Sequence, residues 1–225
     1  MTAADSERGR LGIFGGTFDP IHVGHLRAVL EVAEELELAQ VLFMPCASPP
    51  HRKETSAPAG NRLEMVRRAV FGHPTFGVSD LEVARGGKSY AVDSLGEFAR
   101  LYPGRELYWL IGADAFFDLH QWHQPRRLFD LADFVVMTRP GAPGRDLEEY
   151  LTHYLDPAFA PAEGGWLRLP GGRGAKMQTT TLLDISSTDI RRRAAQGRAL
   201  TYLVPPEVED YICDMKLYGT PEGED

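Results

Sequence analysis

The chain has 225 residues, and its 24 Lys and Arg residues against 32 Asp and Glu residues give a net charge of -8. This length suits one sizeable α/β core, and no long linker divides it. We therefore expect a single domain over residues 1–225, with flexible tails at 1–9 and 219–225. The acidic balance disfavours a nucleic-acid partner. No signal-like segment and no run near ~18 apolar residues occurs, so we expect no membrane partner and a cytoplasmic location.

Apolar runs alternate with helical stretches along the whole chain. Strands are predicted at 10–14, 40–45, 78–83, 106–111 and 133–138, and helices at 22–38, 60–71, 89–101, 126–131, 146–153, 187–196 and 206–214. Because the runs are nearly continuous in apolar residues, they predict parallel strands covered on both faces. The expected fold is an α/β, Rossmann-like doubly wound parallel sheet, which binds ligands beyond the carboxyl ends of its strands.

The first predicted strand leads into a glycine turn. Residues 15–25 are GGTFDPIHVGH, which sets His22 and His25 in the first turn of the first predicted helix. Free N–H groups and the helix dipole favour an anion there, and glycines allow close approach to the main chain. The stretch therefore predicts a phosphate site. Taken alone, the two histidines are also compatible with a structural pair or with two ligands of a metal.

A run of three possible cations, His51, Arg52 and Lys53, follows a double proline just after the second predicted strand. By itself, such a run is typical of an exposed basic loop. Its place after a strand end puts it on the predicted ligand side of the sheet.

Two further segments carry no specific signal by themselves. Residues 88–95 are KSYAVDSL, and residues 109–122 are WLIGADAFFDLHQW. Within the second segment, Trp122 is compatible with an ordinary half-buried aromatic residue, and Asp114 is compatible with a helix cap.

Segment 139–175 departs from the regular alternation. It is rich in proline and contains Gly-Gly-Arg-Gly at 171–174, so it predicts a surface loop of low order. No strand and helix bracket the glycines as a phosphate loop would require, and a surface turn is the favoured interpretation.

A second helix start follows, at 185–191, with the sequence ISSTDIR. Hydroxyl residues are good N-caps, so simple capping is one interpretation, and Arg192 and Arg193 are typical of a solvated face. Two hydroxyls, free backbone N–H groups and Arg191 one turn later also predict a second anion site, because a guanidinium suits phosphate oxygens.

These stretches together resemble a known family. GGTFDPIHxGH resembles the signature of the nucleotidylyltransferase superfamily, and within it most closely the bacterial nicotinate-nucleotide adenylyltransferases. The family's PPHK/PPHR, SYTxDTL, IGAD…LxxW and ISSTxIR motifs have counterparts here in the same order, between about residue 11 and about residue 218. The chain departs from the common pattern at Ala91 and Ser94, where the family usually has Thr.

The resemblance implies an enzyme that transfers the adenylyl group of ATP to nicotinate mononucleotide, forming deamido-NAD and pyrophosphate in NAD biosynthesis. Mg²⁺ would be carried by the ATP phosphates, with no metal site of the protein itself. Two alternatives stay open: another nucleotidylyltransferase, of the pantetheine-phosphate adenylyltransferase or cytidylyltransferase type, and a non-catalytic nucleotide-binding sensor. The sequence also leaves open a homo-oligomer.

The same resemblance implies residue roles. His22, His25 and Arg191 are the expected catalytic residues. The expected ATP-binding residues are Gly15, Gly16, Thr17, Phe18, His22, His25, Gly112, Asp114, Ser187, Thr188 and Arg191. The expected mononucleotide-binding residues are His51, Arg52, Tyr90, Ala91, Asp93, Trp122 and His123. Trp122 matches the position on which the pyridine ring stacks, and the N–H groups of Ala91 and His123 match the donors to its carboxylate.

Overall fold

A computed structural model describes residues 9–48, 55–139 and 145–219. Its strands form one sheet in the order β3-β2-β1-β4-β5-β8-β7-β6. The pairs from β3 to β8 are parallel, and β7 and β6 add antiparallel edge strands. The strands are β1 (Arg10–Gly16), β2 (Gln40–Pro45), β3 (Phe76–Val78), β4 (Glu106–Gly112), β5 (Asp133–Thr138), β6 (Ala160–Pro161), β7 (Trp166–Arg168) and β8 (Gly174–Thr179).

Helices cover both faces of the central strands, as the apolar runs predicted. They are α1 (Val23–Glu35), α2 (Ala59–Val70), α3 (Leu81–Arg85), α4 (Ala91–Leu101), α5 (Ala113–Phe116), α6 (Leu128–Leu131), α7 (Leu147–Tyr150), α8 (Ser187–Ala195) and α9 (Pro206–Asp214). Within β2, Val41 and Phe43 pack into the core on one face, and Leu42 and Met44 pack into the core on the other. Alternate residues of a strand point to opposite faces, so a strand between two helical layers must be apolar throughout. The Rossmann-like expectation is confirmed.

The prediction of a strand at 78–83 is wrong. The strand β3 ends at Val78, and the chain turns at Ser79 and Asp80 into the helix α3. The Ser79 N–H donates to Phe43 O at 3.0 Å, and Ser79 Oγ accepts from the Leu81 N–H at 3.3 Å. The Ser79 side chain thus bonds the backbone two residues later and favours a turn here, although the apolar pattern continues beyond it.

The prediction of a poorly ordered loop over 139–175 is also wrong for residues 145–175. They form α7, a π-helical turn at Leu151–Leu155, the strands β6 and β7, and the start of β8. The Asp133 carboxylate stabilises this edge, since it pairs with Arg168 at 3.0 Å and Arg173 at 3.2 Å and accepts from the Gly174 N–H at 2.9 Å. These partners are distant from Asp133 in sequence, so no local sequence pattern predicts the contacts. The glycines at 171 and 172 form the predicted turn.

The carboxyl ends of the central strands meet at one edge of the sheet. Gly16 at the end of β1 pairs in register with Pro45 at the end of β2, and Gly112 at the end of β4 pairs with Met137 in β5. The glycine turn and the segments after β2, β4 and β5 therefore share this edge. None of the helices in the described residues is long and apolar enough to cross a membrane.

Candidate active site

The glycine turn is shaped by the packing beneath it. Phe18 adopts a left-handed φ of 48°, and a Cβ atom at Gly16 would lie 2.7 Å from Phe18 Cζ. A Cβ atom at Gly15 would lie 3.0 Å from Trp109 Cζ2. Both glycines are thus needed to accommodate aromatic rings, and this need adds to the close main-chain approach that the sequence predicted.

Asp19 anchors the turn from below. Its buried carboxylate accepts hydrogen bonds from the N–H groups of Ser56 and Ala57 at 2.7 and 3.1 Å and from the Tyr218 hydroxyl at 2.8 Å. These donors come from the segment before α2 and from the end of the described chain. The turn is therefore held by residues far from it in sequence.

The helix α8 is tied to the same turn. Arg191 donates from Nη1 to Asp19 O at 2.7 Å and from Nη2 to Thr188 Oγ1 at 3.3 Å. Ser187 Oγ donates to Pro20 O at 2.9 Å. The start of α8, predicted as a second anion site, therefore lies directly beside the glycine turn.

His22 and His25 form a stacked pair. His22 is the N-cap residue of α1 rather than part of its first turn, and His25 is the third helical residue. Their ring centroids are 3.6 Å apart at an interplanar angle of 22°, and the Phe18 ring meets His25 edge-on at 5.4 Å. The His22 N–H donates to His25 Nδ1 at 3.3 Å. Because Nδ1 accepts, the proton of the neutral His25 ring lies on Nε2.

Burial keeps both imidazoles neutral at pH 7. It lowers the pKa of His22 to about 4, with the positive charge of Arg139 as a second cause. Burial, followed by the nearby His22, holds the pKa of His25 well below its usual range. His22 Nδ1 is buried and has no hydrogen-bond partner among the described residues. Neutral rings present N–H donors to a ligand without adding a fixed charge to the site.

The stacked histidines open onto a cavity of about 400 Å³, which we call the histidine cavity. The amino ends of α1 and α8 both border it, because the caps His22 and Ser186 are among its walls. Two helix amino ends and two arginines converge on one space, which suits a polyphosphate. The polar and charged residues of its wall are His22, His25, Thr138, Arg139, Thr180, Thr181, Ser186, Ser187, Thr188 and Arg191.

A second cavity, of about 640 Å³, lies on the other side of Gly112, which borders both. We call it the tryptophan cavity. Half-buried Trp122 forms part of its wall, and the Tyr90 ring lies 4.7 Å from the His123 ring. Ala91 is the first residue of α4, so its N–H has no partner inside the helix. The wall is formed by Gly15, Gly16, Thr17, Met44, Cys46, Glu82, Ser89, Tyr90, Ala91, Trp109, Ile111, Gly112, Ala115, Gln121, Trp122, His123 and Gln124.

The two cavities gather most of the residues singled out from the sequence. The histidine cavity holds His22, His25, Gly112, Ser187, Thr188 and Arg191. The tryptophan cavity holds Gly15, Gly16, Thr17, Tyr90, Ala91, Trp122 and His123. His51 and Arg52 lie outside the described residues.

Three predicted residues line neither cavity. Phe18 is buried beneath the turn, where it supports the His25 ring. Asp114 is exposed in α5. Asp93 is exposed on α4 and borders a different depression with Leu81 and Arg127. Asp93 does not line the tryptophan cavity because it lies two residues after Ala91 and therefore on the opposite side of α4.

Arg62, a fully buried cation under the site, was not predicted from the sequence. Its Nη1 donates to Thr17 O at 2.6 Å, and its Nη2 donates to Cys46 O at 2.7 Å and Ala47 O at 3.0 Å. Its Nε donates to Ala57 O at 3.2 Å. One guanidinium thus holds the glycine turn, the exit of β2 and the segment before α2 together.

A signal for Arg62 exists in the sequence, because it falls on the apolar face of α2 with Met65 and Val66, which are buried. Glu82, a buried carboxylate in the wall of the tryptophan cavity, was also missed. Its hydrogen-bond donor, Ser94, lies 12 residues later in the chain, so no local pattern marks it.

Comparisons with known proteins identify the family to which this chain belongs. The model of the cytidylyltransferase-like family matches residues 13–193, so the chain belongs to that family. A solved structure described as Plasmodium falciparum nicotinic acid mononucleotide adenylyltransferase complexed with NaAD superposes with a TM-score of 0.69. It is 19% identical and covers 93% of this chain and 97% of that one, so the likeness concerns the fold.

Curated relatives give a narrower assignment. A probable nicotinate-nucleotide adenylyltransferase of Desulfatibacillum aliphaticivorans is 42% identical over 217 residues, 93% of this chain and 99% of that protein. A protein of the same name from Geobacter metallireducens is 44% identical over 211 residues, 93% of this chain and 98% of that protein. The chain belongs to the family of nicotinate-nucleotide adenylyltransferases.

Proposed function

We propose that this protein transfers the adenylyl group of ATP to nicotinate mononucleotide and thereby forms deamido-NAD and pyrophosphate, a step of NAD biosynthesis. The observation that carries the proposal is the pair of cavities that meet at Gly112. One is lined by phosphate-binding groups and the other by aromatic residues beside a free helix amino end. A mononucleotide and a nucleoside triphosphate can therefore meet end to end at the glycine turn.

The histidine cavity would hold ATP. Ser187 and Thr188, with the N–H groups at the start of α8, would bind the β- and γ-phosphates, and Arg191 would add a charged donor. His25 would donate from Nε2 to the α-phosphate region, since its Nδ1 is occupied by the His22 N–H. The hydrogen bond of Arg191 to Asp19 O fixes the guanidinium before ATP arrives.

The tryptophan cavity would hold nicotinate mononucleotide. Its pyridine ring would stack on Trp122, and its carboxylate would accept from the N–H groups of Ala91 and His123. Ala91 replaces the threonine that is usual at this position, but a backbone N–H is retained whatever the side chain. His51 and Arg52 are proposed to bind the phosphate of the mononucleotide.

The chemistry then needs no covalent bond to the protein. A 5′-phosphate oxygen of the mononucleotide attacks the α-phosphorus of ATP in line, and the bond to the bridging oxygen of pyrophosphate breaks. The protein supplies alignment and stabilises the charge that develops on phosphate oxygens. His22 and His25 are the donors best placed for this, because neutral buried imidazoles offer N–H groups at a helix amino end.

Mg²⁺ would enter as part of the ATP substrate, with ligands from its phosphates and from water. Among residues 9–48, 55–139 and 145–219, no group of three or more His, Cys, Asp or Glu side chains could hold a metal ion. The donors around the histidine cavity are imidazoles, hydroxyls and guanidinium groups, which suit phosphate oxygens rather than the metal.

A two-substrate assay tests the proposal. The protein is incubated with ATP, Mg²⁺ and either nicotinate or nicotinamide mononucleotide, and dinucleotide and pyrophosphate are quantified. We expect a higher kcat/KM with the nicotinate form, because a carboxamide would turn its NH₂ group toward backbone donors and leave one unpaired. Absence of dinucleotide from both substrates would contradict the proposed transfer, and an equal or reversed preference would contradict the assigned carboxylate donors.

A further inference from the structure

Glu82 is a buried carboxylate that the proposed reaction does not use. It lies in the short helix α3, is 4% exposed, and forms part of the wall of the tryptophan cavity. Burial raises the pKa of Glu82, while hydrogen bonds from Ser94 and Ser89 and the charge of Arg85 act in the opposite direction. A carboxylate buried beside a ligand cavity needs such partners.

The directions of the hydrogen bonds around Glu82 follow from counting protons. Ser94 Oγ accepts from Arg85 Nη2 at 3.0 Å, so its single proton is free to be donated to Glu82 Oε1, which lies 2.6 Å away. Ser89 Oγ accepts from the Ala47 N–H at 3.3 Å, and Ser89 lies close enough to Glu82 to lower the pKa of that carboxyl. The Ser94 proton therefore points at Glu82, which acts only as an acceptor.

The two serines flank the amino end of α4. Ser89 precedes the N-cap Tyr90, and Ser94 lies in the first turn of the helix. Ala91, whose N–H is assigned to the pyridine carboxylate, lies between them. Both serines are buried, so the carboxylate holds α4 from inside the protein. Ser89 binds the Ala47 N–H, at the exit of β2.

We propose that Glu82 is a positioning residue for the mononucleotide, fixing the amino end of α4 so that the Ala91 N–H and Tyr90 face the cavity. This role rests on the function proposed above. The hydroxyl of Ser94 makes the bond to Glu82, so a threonine at this position would keep it.

A glutamine at this position would keep the size of the side chain but not its negative charge. The Ser94 hydroxyl would then meet either a neutral amide oxygen, which is a weaker acceptor than a carboxylate, or an NH₂ group that cannot accept its proton. We expect Glu82→Gln to raise the KM for the mononucleotide about tenfold, the size of effect of one hydrogen bond to a charged group. The KM for ATP and the kcat should stay within about twofold, because the histidine cavity is built from other elements.

The experiment compares wild type, Glu82→Gln and Ser94→Ala, with Glu97→Gln as the matched control. Glu97 lies on α4, the helix that Glu82 is proposed to hold, but it pairs with Arg100 and borders a different depression. Steady-state kinetics for each substrate are combined with melting temperatures and with binding of nicotinate mononucleotide measured by tryptophan fluorescence. Ser94→Ala removes one link and leaves the carboxylate, so it tests the network even if Glu82→Gln fails to fold.

A rise of mononucleotide KM and Kd in Glu82→Gln or Ser94→Ala, with ATP parameters and Glu97→Gln unchanged, supports the proposal. Unchanged mononucleotide binding in the variants, or parallel losses for both substrates, overturns it. Wild-type protein that binds the mononucleotide but forms no dinucleotide would refute the proposed transfer while leaving the binding comparison decisive. Failure of wild type to bind the mononucleotide would overturn both.

Discussion

The histidine cavity and the tryptophan cavity border the same glycine but are assembled differently. The proposed phosphate-binding groups of the histidine cavity come mainly from two short stretches, 22–25 and 186–191. In these stretches the caps and first turns of two helices lie side by side. The tryptophan cavity draws its wall from separate segments around Gly16, Cys46, Ala91, Gly112 and Trp122. Phosphate recognition can be built into one helix start, because the donors are backbone groups. Recognition of a ring needs flat surfaces and edges that only several segments together provide.

The largest effect should come from His25→Asn. An asparagine side-chain oxygen can still accept near the former Nδ1 position, but the donor at Nε2 is lost. We expect kcat to fall by about 10² to 10³, the usual result of removing one preorganised donor to transition-state charge, while the melting temperature changes little.

His73→Asn is the matched control, because His73 Nδ1 also accepts a backbone N–H, from Thr75 at 3.4 Å, but lies away from the cavities. Near-normal turnover of His25→Asn with a large drop in melting temperature would show that the histidine pair is structural. It would contradict the proposed catalytic role of the histidine cavity.

Acid should lower the free energy of unfolding of the protein through His22. The pKa of His22 in the folded protein, about 4, lies below its usual value of 6.5, so the unfolded chain binds more protons between these values. The free energy of unfolding should therefore fall as the pH drops from 6.5 to 4, by about 3 kcal/mol from this residue, and fall no further below pH 4 on its account.

Urea unfolding from pH 7.5 to pH 4.5 measures this dependence. His22→Asn should lose less stability over the window than wild type, and His153→Asn, at an exposed position, should follow wild type. Equal pH dependence in all three proteins would show that His22 is not held neutral by burial.

Arg191→Lys should have an intermediate effect on ATP alone. Lysine keeps the charge but cannot bond Asp19 O, Thr188 and a phosphate in one fixed plane. We expect the KM for ATP to rise about tenfold, as for one charge-assisted hydrogen bond. Arg192→Lys, next along the helix and paired with Asp189, is the control and should leave that KM unchanged. A matching rise in the KM for the mononucleotide would contradict the assignment of the two substrates to separate cavities.

Trp122→Ala should give the smallest effect, and this effect should be limited to the mononucleotide. Loss of ring stacking is expected to cost about 1 kcal/mol beyond buried area, which raises the KM for the mononucleotide at least about fivefold. Trp166→Ala, in the distant edge strand β7, serves as the control in the same assay. An unchanged mononucleotide KM would make Trp122 a packing residue.

The central strands and the long helices could be predicted from sequence, because their patterns are local. The strands β4 and β5 are apolar along almost their whole length, and α8 and α9 begin and end within one residue of the predicted bounds. The edge strands could not be predicted, since β7 is short and depends on Asp133, which pairs with Arg168 across a separation of 35 residues. The missed α5 is a single turn, too short to show a period.

The sequence by itself determined the two helix starts that we propose to bind phosphate, with His22 and His25 at one and Ser187, Thr188 and Arg191 at the other, because a helix cap and its donors lie within a few consecutive residues. Only the tertiary structure decided that Phe18 supports the site from beneath, that Asp93 faces away, and that Arg62 and Glu82 hold it together. The physical reason is that a buried charge needs several hydrogen-bond partners, and a chain can supply them only by bringing distant segments to one place.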